Sequence, residues 1–200
     1  MTEFGMSIEL SDKATGRRCG DCQLCCKLLP VRAIGKKDGE HCRYQRAGKG
    51  CTVYSKLESV APECRVWNCR WLVDPSCAGL QRPDRSHYVI DIMPDFIAQQ
   101  RPEGVARFPV VQVWVDPAFP EAHRDPRLRA WLVAANVFAL IRYNARDAFV
   151  LVPPALSDTG DWYEHRKGTT SGEYATWPDN LRPGMQEAVA EHEREFRVRT

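Results

Sequence analysis

No apolar run in the chain approaches the roughly 18 to 20 residues that a membrane span requires. The opening stretch MTEFGMSIELSDKATGRR mixes charges and lacks the apolar core of a signal peptide, so a soluble, cytoplasmic protein is expected. A large charge excess is missing as well. With 28 Lys and Arg against 26 Asp and Glu, the formal net charge is +2, which gives no strong global pull toward nucleic acid or anionic membrane. No internal repeat is visible, and no cysteine follows Cys77. At 200 residues the chain is long enough to bury a core without disulfides.

What the chain has in excess is cysteine. All nine lie between Cys19 and Cys77, and four open the set within eight positions, CGDCQLCC: Cys19, Cys22, Cys25 and Cys26. An odd count forbids complete internal pairing, and in a reducing compartment clustered thiols more often bind metal or do redox chemistry than form staples. Two-residue gaps let successive side chains converge on one centre while backbone amides turn toward the sulfurs. That is why C-x-x-C recurs in zinc and iron–sulfur sites. Cys19, Cys22 and Cys25 match the first three ligands of a ferredoxin-type cluster, but no Cys-Pro follows three residues later. A fourth ligand must then come from Cys42, Cys51 or beyond. Cys25 and Cys26, being adjacent, are expected to point apart, one ligating while the other packs or serves a second centre. A thioredoxin-like pair at Cys19 and Cys22 would want a preceding strand, which the GRR before Cys19 does not supply.

The expected fold class is α+β, with an irregular cysteine-rich metal module followed by a small β-β-α-β layer. Residues 1–18 read as an arm and residues 19–82 as the module, broken by Gly35, Gly39, Gly48 and Gly50. That module has few aliphatic residues, so bound metal is expected to supply folding free energy. In the layer, 83–156, HYVIDIMPDFIA (87–98) and RFPVVQVWVDP (107–117) predict a hairpin across QQRPEG. A helix follows, with Asp125 as N-cap and Pro126 in the first turn. Its inner face is expected to carry Leu128, Trp131, Leu132, Ala135 and Phe138. AFVLVPP (148–154) predicts a third strand, 157–182 a loop, and 184–198 a charged helix that ends the last segment, 157–200.

Thiolate is a soft ligand, which favours zinc, iron–sulfur or copper(I) over magnesium or calcium. CGDCQLCC, the HC at 41–42, GKGCTVY at 48–54 and PECRVWNC at 62–69 together resemble the YkgJ-type cysteine-cluster family, described as zinc- or iron-chelating proteins. The likeness spans about a quarter to a third of the chain and departs from the family in having Ala61-Pro62 where an Arg-Pro pair is usual. It implies Cys19, Cys22, Cys25, Cys26, Cys42, Cys51, Cys64 and Cys69 as metal ligands, with a zinc ion or an iron–sulfur cluster as the bound group. The relatives include flagellin lysine methylases. A second expectation is therefore a metal-dependent enzyme acting on protein side chains, with a pocket in the 87–154 layer faced by Asp91, Asp95 or Arg107. No residue is assigned as catalytic. A third expectation is a zinc-stabilised adaptor.

The surroundings complete the reading. Lys27, Arg32, Lys36, Lys37, Arg43, Arg46 and Lys49 make the module basic, and such cations offset the excess negative charge of a four-thiolate site. Nucleic-acid binding is not expected, because the interleaved aromatics of a base-stacking surface are missing there. Trp67 and Trp71 are expected to cover a small core and keep water from the sulfurs. Cys77 reads as a plain buried thiol. His41 is not expected to ligate beside Cys42, and His87, His123, His165 and His192 read as surface or capping residues. Asp91 and Asp95 are expected to be exposed.

Overall fold

Successive residues of a strand face opposite sides of its sheet, and Tyr88-Val89-Ile90 shows how this chain uses that rule. The computed structural model describes residues 15–92, 95–102, 104–157 and 159–166. The expected helix at 184–198, with His192, and all but the end of the 1–18 arm lie outside them. Tyr88 and Ile90 pack into one core with Val113, Val115, Ala139, Ile141, Phe149 and Leu151. Val89, between them, packs on the opposite face with Trp114, Cys22, Leu24 and Leu28. One sheet thus closes two cores.

The fold is mixed α+β. A two-stranded ribbon, β1 (Gln45–Arg46) and β2 (Gly50–Cys51), lies in the cysteine-rich part. The main sheet has β3 (Tyr88–Ile90), β4 (Asp95–Arg101), β5 (Gly104–Val115), β6 (Phe138–Arg142), β7 (Ala148–Val152) and β8 (Tyr163–His165). Their order is β3-β5-β6-β7-β8, and β4 also pairs with β5. The expected hairpin is present, its strands continuing to the Arg101↔Gly104 pair. No helix among the described residues is long and apolar enough to cross a membrane.

The structure corrects two expectations and refines a third. First, the helix runs only over Pro126–Ala135. Asp125 caps its start by accepting from the Arg127 N–H, as expected. Its end is set by Asn136, in the left-handed conformation at φ 52°, whose N–H bonds back to the Leu132 and Val133 carbonyls. Phe138 therefore leaves the helical face and begins β6, which pairs parallel to β5 from Val110↔Phe138 to Trp114↔Arg142. A parallel pair requires a crossover, and the helix supplies it. Leu128, Trp131 and Leu132 stay on the inner face, all buried.

Second, the strand expected over 87–98 is interrupted. Ile90 pairs with Val113 and Asp95 with Val110, so four residues on one strand face two on the other. The regular pairing stops after Ile90: the Asp91 N–H still donates to the Gln112 carbonyl at 2.9 Å, while Asp91 also forms an isolated bridge with Cys69. Third, the segment expected as loop over 157–182 contains β8, held on β7 by the Val150↔His165 to Val152↔Tyr163 register.

Two histidines are also corrected from surface to interior. His123 is 0% exposed, its Nδ1 2.8 Å from the Pro120 carbonyl oxygen and its Nε2 3.0 Å from a Glu164 carboxylate oxygen. Its ring meets Phe149 edge-on. Burial pushes the Glu164 carboxyl upward, but Arg166, His123 and Arg124 outweigh it and hold the pKa down at about 2. His165 is buried too.

Candidate metal centre

The cysteine segments are drawn together by backbone and polar contacts rather than by a large core. CGDCQLCC turns at Gly20 (φ +57°), and the Cys22 N–H returns to the Cys19 carbonyl at 3.0 Å. Gly50, at φ +76°, brings β2 so close that a Cβ there would sit 3.2 Å from the Gly20 carbonyl oxygen. Gln23 joins the same two pieces: its amide donates to the Arg46 carbonyl, and its oxygen accepts from the Gln45 side chain. The following residues, Leu24–Leu28, form a short helix that carries Cys25 and Cys26 and buries Leu24 and Leu28. Lys27 on that helix reaches Asp116, just past the end of β5, at 2.7 Å. Arg82 ties down Asp21 at 2.8 Å.

Around this frame the thiols fall into two neighbouring groups. Cys22, with Cys25 and Cys69 alongside, packs among Leu24, Leu28, Leu29, Val89 and Trp114, under Trp67. Cys51 and Cys64 pack beside Val31, Leu57 and Ala61. Cys42 is placed by its N–H, which donates to the Cys26 carbonyl at 3.1 Å. The junction is the Cys25–Cys26 pair: Cys25 packs with the Cys22 group, while the Cys26 carbonyl accepts from Cys42.

All nine cysteines are free thiols; Cys19 is exposed, Cys22 and Cys77 are buried, and the other six are half-buried. Their charges act on one another across both groups. The Cys22 thiol is lowered to about 7, chiefly because Cys19 holds the shared proton; burial opposes this, and the Leu24 and Asp84 N–H groups assist. Cys26 is likewise lowered to about 7, first by the Cys25 thiol, against burial, and then by the Lys36 ammonium. Cys19 and Cys25 are raised by giving that hydrogen bond, then by burial and neighbouring thiolates, Cys69 among them in both cases. Burial pushes Cys64 up to about 11, and the charges of Cys26, Cys42 and Cys51 add to it. Burial also leads for Cys51, which is raised, and for Cys69, which is pushed up to about 12.

A labelling experiment follows from these directions. Immediately after metal removal, while the 31–36 turn still places Lys36, Cys26 is expected to react with iodoacetamide with a half-maximal rate near pH 7, because its thiolate persists as pH falls until that value. Cys64 should stay protonated and slow until the pH nears 11. Mass spectrometry of each site across pH checks this; a common midpoint near the ordinary thiol value of about 8.5 would contradict it.

Among the described residues, no three Cys, His, Asp or Glu side chains stand in the arrangement of a ready ion site. The thiols share a region but are not set in ligand geometry. The donor set itself is all sulfur, which fits zinc, copper(I) or an iron–sulfur cluster by softness. A second feature agrees with a sulfur-rich anionic centre. The Trp114 indole N–H is buried in the cluster with Cys22, Cys25 and Cys69 and has no acceptor among the described residues. A buried donor of this kind calls for an acceptor that the described residues do not supply.

The remaining expectations sort as follows. Cys77 is fully buried in the core opposite the other thiols, as a plain packed thiol would be. Trp67 covers the Cys22 group, and its indole N–H donates to Asp91 at 2.6 Å. Asp91 is buried, which corrects the expectation of exposure. Trp71 instead packs toward the helix-side core, with Arg17 over its ring. His41 is exposed and faces Gln45, and His87 stacks on Phe119 at 3.5 Å. The side chains of Asp95 and Arg107 lie outside the described residues. An open groove of roughly 450 Å³ lies at the edge of the layer, lined by residues of 81–87 and 119–127. Sequence reasoning gave no role to Gln23 or Asp116, since neither is a cysteine of the clustered motifs. A search against family models, curated proteins and solved structures found no match to the chain.

Proposed function

We propose that the chain is a cysteine-thiolate metal-binding protein, holding zinc or an iron–sulfur cluster through Cys19, Cys22, Cys25, Cys26, Cys42, Cys51, Cys64 and Cys69. The observation that carries this reading is the grouping itself: cysteines drawn from well-separated parts of the chain are brought into two neighbouring groups, with Cys25 in one and the Cys26 carbonyl tied to Cys42 beside it. A fold that only needed small buried groups would use alanine or valine, without thiols that lower or raise one another's pKa. In this reading, residues 19–82 are the metal module, and the sheet of 83–156 is the floor beneath Cys22, Cys25 and Cys69. A reducing, cytoplasmic setting would keep the thiols available.

The same residues favour metal over an adaptor that binds nucleic acid. Of the seven basic residues in 27–49, Lys27 is paired with Asp116 and Lys36 is buried, which takes two of them out of any cationic face. Metal and acid-labile sulfide analysis after anaerobic purification tests the reading. Brown protein with stoichiometric sulfide identifies a cluster, and colourless protein with stoichiometric zinc identifies the ion. Folded protein free of both would defeat it.

A further inference from the structure

Strand β5 is 12 residues long, and its two halves have different neighbours. Its second half lies between β3 and β6, whereas Gly104 to Pro109 pair with β4 alone. The reason is the crossover helix: it ends at Ala135 with its Asn136 cap, so β6 begins only opposite Val110. The first half of β5 and all of β4 thus leave the sheet as a two-stranded ribbon. Among the described residues no third strand pairs with it.

Backbone groups of successive strand residues turn to opposite edges. The Asp91 N–H donates to the Gln112 carbonyl, so the even-numbered residues of β5 face the β3–β4 side and the odd-numbered ones face β6. Pro109 is odd-numbered and has no N–H to offer on the β6 side, which guards that edge of the ribbon. On β4, in register from Asp95↔Val110 to Arg101↔Gly104, it is Phe96, Ala98 and Gln100 that turn N–H and C=O outward. This second edge lacks a guard, for Phe96–Gln100 contains no proline, glycine or charge. At Asp91 the bridge to Cys69 covers it, but from Asp95 onward no described strand or bridge does.

We propose that the outer edge of β4 is a self-association site, where two copies of this chain pair antiparallel and join their ribbons into one sheet. The strand's own sequence favours a second copy over another occupant. Centred on Ala98, the antiparallel register matches all 7 residues of the strand. It sets Phe96 against Gln100 of the other copy and Ala98 against its counterpart, all outward-facing, so each pair exchanges both backbone bonds. The same register sets Asp95 opposite Arg101 at both ends, in the pairs without backbone bonds, where strands approach closest. A slip of one residue opposes outward to inward backbone groups, and a slip of two loses both charge matches. The contact is isologous and closes as a dimer.

Sedimentation of the full chain under reductant tests this, using wild type, Asp95→Arg, Arg101→Asp, and an equimolar mixture of the two variants. Each reversal alone sets like charges opposite at both ends, so self-association should weaken by roughly tenfold or more. In the mixture each strand meets its complement, and the heterodimer should return to within about threefold of wild-type affinity. Ala98→Pro removes an outward N–H without touching the bonds to β5. It should give a monomer whose β5–β6–β7 amides stay protected from exchange. Wild type that remains monomeric up to roughly 1 mM overturns the proposal, whether another segment of the chain or nothing covers the edge. A dimer indifferent to the reversals and to Ala98→Pro overturns it too, since that dimer forms elsewhere. If Ala98→Pro fails to fold, the reversals at the strand ends and their mixture still decide.

Discussion

Cys26→Ser is expected to strip the protein of most of its bound metal, and Cys77→Ser to strip none of it. Cys26 stands where the two thiol groups meet. Its carbonyl receives the Cys42 N–H, and its charge acts on Cys51 and Cys64. A serine hydroxyl at this point is a hard, neutral donor in a soft, anionic set. Losing a partner outside the ligand shell commonly costs 10- to 100-fold in metal affinity, so losing Cys26 should exceed about 100-fold. Cys77 is fully buried against Leu80, Tyr88 and Trp131 on the far side of the sheet. Serine there should lower stability by about 1–3 kcal/mol through burial of a hydroxyl, with metal content unchanged. Metal analysis and denaturant unfolding of both variants check the pair of outcomes. Equal metal loss in the two would point to a general folding defect.

Metal removal should loosen the two halves of the structure unequally. The part holding Cys51 and Cys64 has only Val31, Leu57 and Ala61 as its buried cluster. The sheet and its helix share thirteen buried core residues. Structural zinc in small finger peptides is worth about 10–16 kcal/mol of binding free energy, which is then folding free energy. Chelation is therefore expected to abolish slow amide exchange in the 31–36 turn and the β1–β2 ribbon. The β5–β6–β7 amides should remain protected. Hydrogen exchange with and without chelator reads this directly, and protection unchanged in both halves would contradict it.

Much of the layer is legible in the sequence because strand alternation and helix capping are local signals. The hairpin and the Asp125-Pro126 start both stand where pattern places them. The helix end was not read from the pattern, since Phe138 continues the apolar spacing of Leu128, Trp131 and Ala135. Only the left-handed Asn136 breaks it, and an Asn among alanines is a weak signal for a C-cap. The interruption at Asp91 is less visible still. At that point Cys69, from another segment, bridges Asp91 on the side away from Gln112, and Trp67 takes the carboxylate.

The cysteines were legible as a set because spacing within CGDCQLCC is itself the signal. Their surroundings were not. Lys36 is one of seven basic residues between 27 and 49, and nothing in the sequence singles it out. Its burial follows from a tertiary turn that aims it at three carbonyls. His123 shows the same limit: a lone histidine in EAHRD reads as surface, while the fold encloses it between Pro120, Phe149 and Glu164.

The central claim is that sulfur from this chain holds metal. X-ray absorption at the metal edge of anaerobically purified full-length protein tests it most directly. The account predicts a shell dominated by sulfur, at roughly 2.3 Å if the metal is zinc, that collapses in Cys26→Ser and persists in Cys77→Ser. A shell of oxygen and nitrogen alone, or the same sulfur shell in both variants, would contradict it.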